Sequence, residues 1–488
     1  MRPRNFLILA VLLLPFCIQA GSYSFSLDDP KLKFSGVIDF SIGEVMKGKY
    51  RGVAGDAWDQ DAAIKVDIPV SHAWLGNPLA RLNLDFTPND KIRMLLGFEG
   101  AAFLNELPLE LGVKATANGG KPTFPQGMSW CVHQAQGIVS VLNNEKMSLD
   151  VSLGLMPYKY NPDVRNLGEF LFRSGTYPFL LFNNFNFPLA RLTGLRASFK
   201  YGTKDIGLTV DQFILMEHDV APLNDISIAT IASVNVMKFI DLGLGVDFAR
   251  VIPVNGTLTT PKLSVYLSST GDTGHYTFQG TKLMARATFD PVELVFGTIL
   301  DEHRDKDGSK VREIFGKDGL KFYGEIAAIG LKNYPASFEL VPEVGGLTIP
   351  QNRWGYTKLS ERMPWMLGVN IPTWRIFDVC AIEVERYPAP YPNDYYESGL
   401  MKCLPIPTFY DTLRSTPGYD SASYSGERWY WSIYLKKQVQ KNLSFFSQIS
   451  RDHTRWCVGT GRVYNYDSEE IMPKKGQWSW RAGMTFEF

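Results

Sequence analysis

Six histidines, His72, His133, His218, His275, His303 and His453, are the side chains best suited to move protons near neutral pH. Two stand beside an acid, in His218-Asp219 and Asp452-His453, the raw material of an acid–base dyad. Neighbours in a strand point to opposite faces, so adjacency alone makes neither pair a dyad. No Gly-x-Ser-x-Gly nucleophile elbow accompanies them, and catalysis is not expected. Asp305-Lys306-Asp307-Gly308 has the composition of a calcium loop. An EF-hand would need an acid at His303 and a glutamate at Ile314, so a plain Gly-containing turn is the better reading. Cys131, Cys380, Cys403 and Cys457 are spaced too widely for a zinc or redox motif, although a Cys403–Cys457 loop-to-loop disulfide is compatible with an oxidising compartment. No metal or other cofactor is expected.

The remaining chemistry is that of charge held against apolar neighbours. Arg81, Arg93, Arg196, Lys200, Arg286 and Arg481 each alternate with apolar residues, as do Asp85, Glu99, Asp150, Asp247, Glu383 and Glu487. Unpaired charges are too costly to bury, so these residues must face water or one another. They read as the wall of a wet lumen of mixed charge, which argues against strong ion selectivity. Segment 158–190 adds Asp163, Arg165, Glu169 and Arg173. Asn166 or Asp163 can cap a short helix there, with Leu167, Phe170 and Leu171 on one face and Glu169 and Arg173 paired at i and i+4. Lys+Arg and Asp+Glu are both 50, and no basic tract suggests nucleic acid.

The elements that must hold these residues are strands. From Gln477, Trp478, Trp480, Ala482, Met484, Phe486 and Phe488 share one face, while Ser479, Arg481, Gly483, Thr485 and Glu487 share the other. Period two over such a length places one face in an apolar medium and the other in a polar one. Twelve residues at about 3.4 Å each, tilted near 45°, cover roughly 29 Å, enough for the apolar band of an outer membrane. The same alternation recurs from Leu32, Ala80, Met147 and Leu242. Tight turns are expected near 87–90, 143–146, 202–205, 237–239, 290–291, 332–335, 373–375 and 438–441. Longer external segments are expected at 44–72, 101–129, 158–190, 251–280, 301–318, 344–362, 387–427 and 453–475. Eight hairpins and two terminal strands give an all-β, single antiparallel transmembrane β-barrel of about 18 strands (16 to 20), with short periplasmic turns and long extracellular loops. Trp429, Trp431, Trp478 and Trp480 fit an interfacial aromatic girdle.

The N-terminus predicts export. Arg2 and Arg4 precede an apolar stretch from Phe6 to Ile18, and Cys17-Ile18-Gln19-Ala20 ends in a small residue, so residues 1–20 read as a cleaved signal peptide and 21–488 as the barrel. Bulky Phe16 weakens a lipoprotein reading with Cys17 as the lipidated residue.

Arg481-Ala482-Gly483-Met484-Thr485-Phe486-Glu487-Phe488 resembles the C-terminal assembly signal of Gram-negative outer-membrane β-barrel proteins, with Gly483, Phe486 and Phe488 at its fixed positions. The resemblance implies insertion by the outer-membrane barrel assembly machinery into the lipids of the cell outer membrane. The overall pattern looks porin-like, and no specific porin family is indicated. Porins of this kind often fold their third loop inward. The resemblance thus implies a pore constriction lined by Asp163, Arg165, Glu169 and Arg173. The expected function is a channel for passive diffusion of small hydrophilic solutes, alone or as a homo-oligomer. The alternative is a non-conducting surface or structural protein whose extracellular loops bind a partner.

Overall fold

The computed structural model describes residues 31–54, 64–103, 127–173, 190–203, 205–217, 224–252, 254, 265–267, 273–275, 280–298, 319–329, 331, 359–387, 429–460, 463–472 and 474–488. The signal-peptide reading, the Cys403–Cys457 pairing, His218-Asp219 and the 305–308 turn lie outside them.

The chain forms one closed antiparallel barrel of 16 strands. In ring order these are β1 (Lys31–Ala54), β3 (Ala73–Asn89), β4 (Ile92–Phe103), β5 (Gly127–Asn143), β6 (Met147–Tyr158), β7 (Ala190–Gly202), β8 (Ile206–Met216) and β9 (Ile226–Val236). The ring continues through β10 (Ile240–Ile252), β13 (Gly280–Phe289), β14 (Lys321–Ile329), β15 (Trp365–Asn370), β16 (Val379–Arg386), β17 (Trp429–Gln440), β18 (Leu443–Arg451) and β21 (Trp478–Glu487), which pairs with β1. Three connections carry further strands. β2 (Ile64–Val70) extends the upper part of β1, and β11 (Val265–Leu267) with β12 (Thr273–His275) and β19 (Arg455–Thr460) with β20 (Val463–Glu470) form separate hairpins.

Closure follows from the surfaces. Ile38, Phe40 and Ile42 are exposed on the outer face of β1, while Asp39 and Ser41 between them are buried on the inner face. An apolar exterior needs lipid, and lipid offers no partner to an open strand edge. Trp74 meets Trp480 edge-on at 6.3 Å, and Trp365 meets Trp429 at 5.4 Å, both toward the loop end of the barrel. The seam is sealed at the chain's end. Gly36 N donates to Phe488 O at 2.8 Å and Phe488 N to Gly36 O at 3.0 Å. A Cβ on Gly483 would stand 2.5 Å from the Phe40 carbonyl oxygen, so only glycine lets these strands close here.

Among the described residues, the strand expected straight after Asp290-Pro291 is replaced by a helical segment. The Asp290-Pro291 turn was expected to lead straight into a rising strand. Instead Asp290 Oδ1 accepts the Glu293 N–H at 2.9 Å, and Pro291 pre-sets a helical φ, so a helical segment follows, with a π-helix over Glu293–Thr298. β14 then rises from Phe322, paired with Phe289, to Ile329, paired with Lys282. Leu331 N donates to Thr281 O at the loop end, so β14 runs from the turn end to the loop end, opposite to the direction expected of a strand leading into a periplasmic 332–335 turn. The residues of that turn, and the strand expected to follow it, lie outside the described residues.

The turns without glycine or proline are present but strained. Met237 and Lys238 both have positive φ (46° and 63°), as do Trp374 and Arg375 (49° and 66°). Each pair is the centre of a tight turn, closed by Phe239 N donating to Val236 O at 3.2 Å and by Ile376 N donating to Thr373 O at 3.0 Å. This primed geometry needs positive φ at both central residues, and Asn235 Oδ1 helps the first turn by accepting the Lys238 N–H at 3.1 Å. Lys238→Gly is expected to raise the thermal midpoint, since it removes part of about 1–3 kcal/mol of strain. The midpoint of the heat-modifiable gel band checks this, and an unchanged or lower value would refute it.

Candidate functional site

Segment 158–173 does not cap the barrel; it runs inside it. After β6 the chain turns inward and ends in one helical turn, α1 (Phe170–Arg173). Val164, Leu167, Phe170, Leu171 and Phe172 pack with Met156, Phe213, Ile231, Met284, Tyr323 and Met366 in one buried cluster. Phe172 stands edge-on to Phe213 at 6.3 Å and to Tyr158 at 6.0 Å. This half of the inner wall is apolar where the loop covers it.

An irregular segment inside a barrel has no ladder for its amides, and each buried N–H left without an acceptor is costly. The wall supplies acceptors in series. Arg165, Asn166 and Leu167 donate their N–H groups to Glu383 at 2.5, 2.9 and 2.9 Å. Gly168 N donates to Glu385 at 3.0 Å. Glu169 and Phe170 donate to Glu325 at 3.0 and 2.8 Å, and Leu171 N to the Tyr160 hydroxyl at 2.9 Å. Six consecutive amides are satisfied by the wall, and the seventh by Tyr160 of the loop itself. Tyr160 Oη and Asn161 Nδ2 also donate to Glu325, at 2.5 and 3.2 Å. Burial holds the Tyr160 hydroxyl well above its usual range, and the neighbouring Glu325 and Glu169 push the same way, so it remains a donor. Asn166 Nδ2 reaches Asp452 at 2.7 Å, and Lys282 Nζ donates to Leu171 O at 3.0 Å.

The four expected constriction residues are divided by this arrangement. Asp163 is buried, accepting from Thr288 Oγ1 at 2.9 Å and pairing with Lys321 at 3.5 Å. Arg165 is half-exposed. Glu169 is buried at positive φ (62°), outside α1, and accepts the Asn161 N–H at 2.6 Å. That geometry does not support the expected Glu169–Arg173 helical pairing; the Arg173 side chain lies outside what is described. Nor does Asp163 or Asn166 cap α1. The loop's charged anchors on Glu325, Glu385 and Asp452 escaped sequence reasoning, because strand periodicity shows which face a residue takes and not what crosses the lumen to meet it.

The six basic wall residues sit on five strands, Arg196 and Lys200 sharing β7, and do not converge on one point. Arg81 Nε and Arg191 Nη2 both bind Glu99, at 2.5 and 2.9 Å. Arg93 pairs with Asp85 at 2.6 Å, Arg196 with Asp211 at 2.9 Å, and Arg286 with Asp241 at 3.2 Å. Arg481 Nη2 donates to Gln448 at 2.6 Å. Lys200 lines a cavity of about 360 Å³ at the turn end, with Ser148, Thr209, Ser233, Asn235 and Asp241. The Asp452-His453 pair is not a dyad. Asp452 faces Asn166 and Ser450, while His453 Nε2 meets Glu385 at 2.6 Å.

No protein-family model and no curated protein matches the chain. Several solved structures are similar to it at low identity and low TM-score. OprB of Pseudomonas putida is 9% identical, with 94% of each chain covered and a TM-score of 0.44. OmpF of Salmonella typhi, solved with daunomycin, is 9% identical over 94% of this chain and 97% of its own, with a TM-score of 0.41. A porin of Rhodopseudomonas blastica is 7% identical over 94% of this chain and 100% of its own, with a TM-score of 0.36. The barrel itself rests on the pairing of its own strands.

Proposed function

We propose that this chain is an outer-membrane channel for passive diffusion of small hydrophilic solutes, narrowed by segment 158–173. The observation that carries the reading is the position of that segment: inside a closed barrel, tied by six consecutive amides to the inner wall. A barrel of this size is wide enough to leave an aqueous lumen unless something occupies it. The loop's described anchors fall on β13, β14, β16 and the residue after β18. β3 stands halfway around the ring from β13, so the charged wall of β3 and β4 faces the loop across the remaining space. A solute would pass between them, exchanging part of its hydration for contact with groups such as Arg165 on one side and Arg81 on the other. Asp163 and Glu169 shape this constriction from beneath its surface.

The same reading places the protein in the outer membrane of a diderm bacterium. Cleavage of a signal peptide after Ala20 would precede insertion by the barrel assembly machinery through the Gly483, Phe486 and Phe488 strand. Planar-bilayer recording tests the channel directly. Stable conductance steps that enlarge when residues 161–173 are excised are the expected result. Silence from both proteins, with barrel folding confirmed by heat-modifiable mobility and circular dichroism, would instead favour a non-conducting surface protein.

A further inference from the structure

The loop is held by charge that can be removed. Lys282, Thr288 and Lys321 hold Leu171 and Asp163, but every wall group that receives the loop's amides is a carboxylate, and a carboxylate accepts from N–H groups at both oxygens. Once protonated, one oxygen becomes a donor and faces an amide donor with nothing to accept. We propose that Glu325, Glu383, Glu385 and Asp452 are the positioning residues of the constriction, and that their uptake of protons in acid releases the loop and widens the pore. This rests on the channel reading for its consequence, but the latch itself does not depend on conduction.

The surroundings of each group bear on how it yields. Glu383 faces the Tyr323 hydroxyl at 3.0 Å, with Arg165 of the loop beside it; its register partners, Gly368 of β15 and Ser432 of β17, carry no charge. Glu385 faces His453 at 2.6 Å, and its register partners are Met366 and Tyr430. His453 in turn touches the rings of Tyr387 and Tyr430. Glu325 meets Tyr160 and Asn161, has Glu169 of the loop close by, and lies opposite Arg286 of β13 and Met366 of β15. Asp452 accepts from Asn166, Ser450, Gln448 and Thr454. Burial pushes the Asp452 carboxyl up, but Arg481 and these hydrogen bonds outweigh it and hold the group below the usual carboxylate range. Its contribution is therefore present at neutral pH and lost only as pH falls through that lowered value.

Gly168 and Glu169 both hold positive φ (84° and 62°), a conformation the latch maintains on either side by fixing the amides of 168 and 169. Loss of the carboxylates removes that constraint at the junction between the 165–167 stretch and α1.

Two readouts on the full-length protein test this. Hydrogen exchange in micelles gives the protection of amides 165–170 relative to unfolded-chain rates, at neutral pH and at about pH 4, where protein carboxyls take up protons. Protection is expected to fall by at least about ten-fold in acid, the effect of losing one hydrogen bond to a charged group. Glu383→Gln should reduce protection of 165–167 already at neutral pH, and Glu385→Gln that of 168. Should either variant fail to fold, the other and the acid arm still decide. Single-channel steps should enlarge in parallel. Unchanged protection in acid and in both variants would overturn the latch. Protection lost while the steps hold constant would overturn its control of pore size. Protection lost with no current at any pH would support the latch and overturn the channel reading.

Discussion

Arg250→Met is expected to lower the unfolding free energy by about 3–5 kcal/mol, the cost of removing one partner from a buried ion cluster. Arg250 is 1% exposed and lies between Glu217 and Asp225, at 3.1 and 3.5 Å, both of them fully buried. Its guanidinium lies between two buried carboxylates. The cluster also shapes the backbone. Arg250 has φ of 50°, its N–H donates to Ser227 Oγ at 2.8 Å, and the β9–β10 register shifts between Phe248 and Ile252. Asp225 Oδ1 accepts the Val254 N–H at 3.1 Å, and Asn224 N donates to Glu217 O at 2.8 Å. Methionine keeps the length of the stem and removes the cation between the two acids. Urea unfolding in micelles measures the loss. A triple variant that adds Glu217→Gln and Asp225→Asn should recover most of it, because the uncompensated charge goes with them. A wild-type midpoint for Arg250→Met alone would show that the cluster contributes nothing.

Gly194→Val is expected to disrupt barrel closure at the strands that carry the loop. Gly154 in β6 and Gly194 in β7 face each other directly in the register, with φ of 130° and 149°. Side chains rarely tolerate such a backbone, and the strain alone costs about 1–3 kcal/mol. Steric overlap adds to that. A Cβ on Gly194 would lie 2.1 Å from the Ile214 carbonyl oxygen, and one on Gly154 2.0 Å from that of Ala135. The atoms in the way are backbone, so β7 and β8 would have to part. β6 ends at Tyr158, where the loop begins, and displacement there moves the loop's first anchor. Tyr158 Oη donates to Asp211 at 2.8 Å, across β7. Heat-modifiable mobility should show a lost or broadened folded band, and any protein that does insert should conduct with altered steps. A folded band at the wild-type midpoint would mean that the pair is not required.

Much of this protein is legible in its sequence because a barrel in lipid imposes a period of two at every level. The alternation from Leu32 and from Gln477 places Asp39 and Arg481 on one face and Ile38 and Trp480 on the other, and the fold keeps that division. Turn chemistry placed the ends of most hairpins. It failed at Asp290-Pro291, where the same two residues serve equally well to start a helix. Local preference cannot tell a turn from a cap, and the choice is made by which strand lies free to pair with Phe289. The aromatic and charged content of segment 158–173 marked it as unusual but not where it would go.

The site depended on what meets across the lumen. Glu383 was legible as an inward residue, yet its three amide partners lie more than 200 positions away in the chain. Likewise Glu99 alternates correctly on β4, while the second arginine that binds it, Arg191, enters from β7. Periodicity fixes the direction of a side chain from its immediate neighbours, a property of one strand. Which groups then satisfy one another depends on how 16 strands close into a ring and on how one loop enters it. The sequence by itself determined an apolar outside, a polar inside and the face each strand residue takes. Only the tertiary structure decided that the inner carboxylates hold a loop instead of facing water, because buried amides must find acceptors wherever the ring brings them.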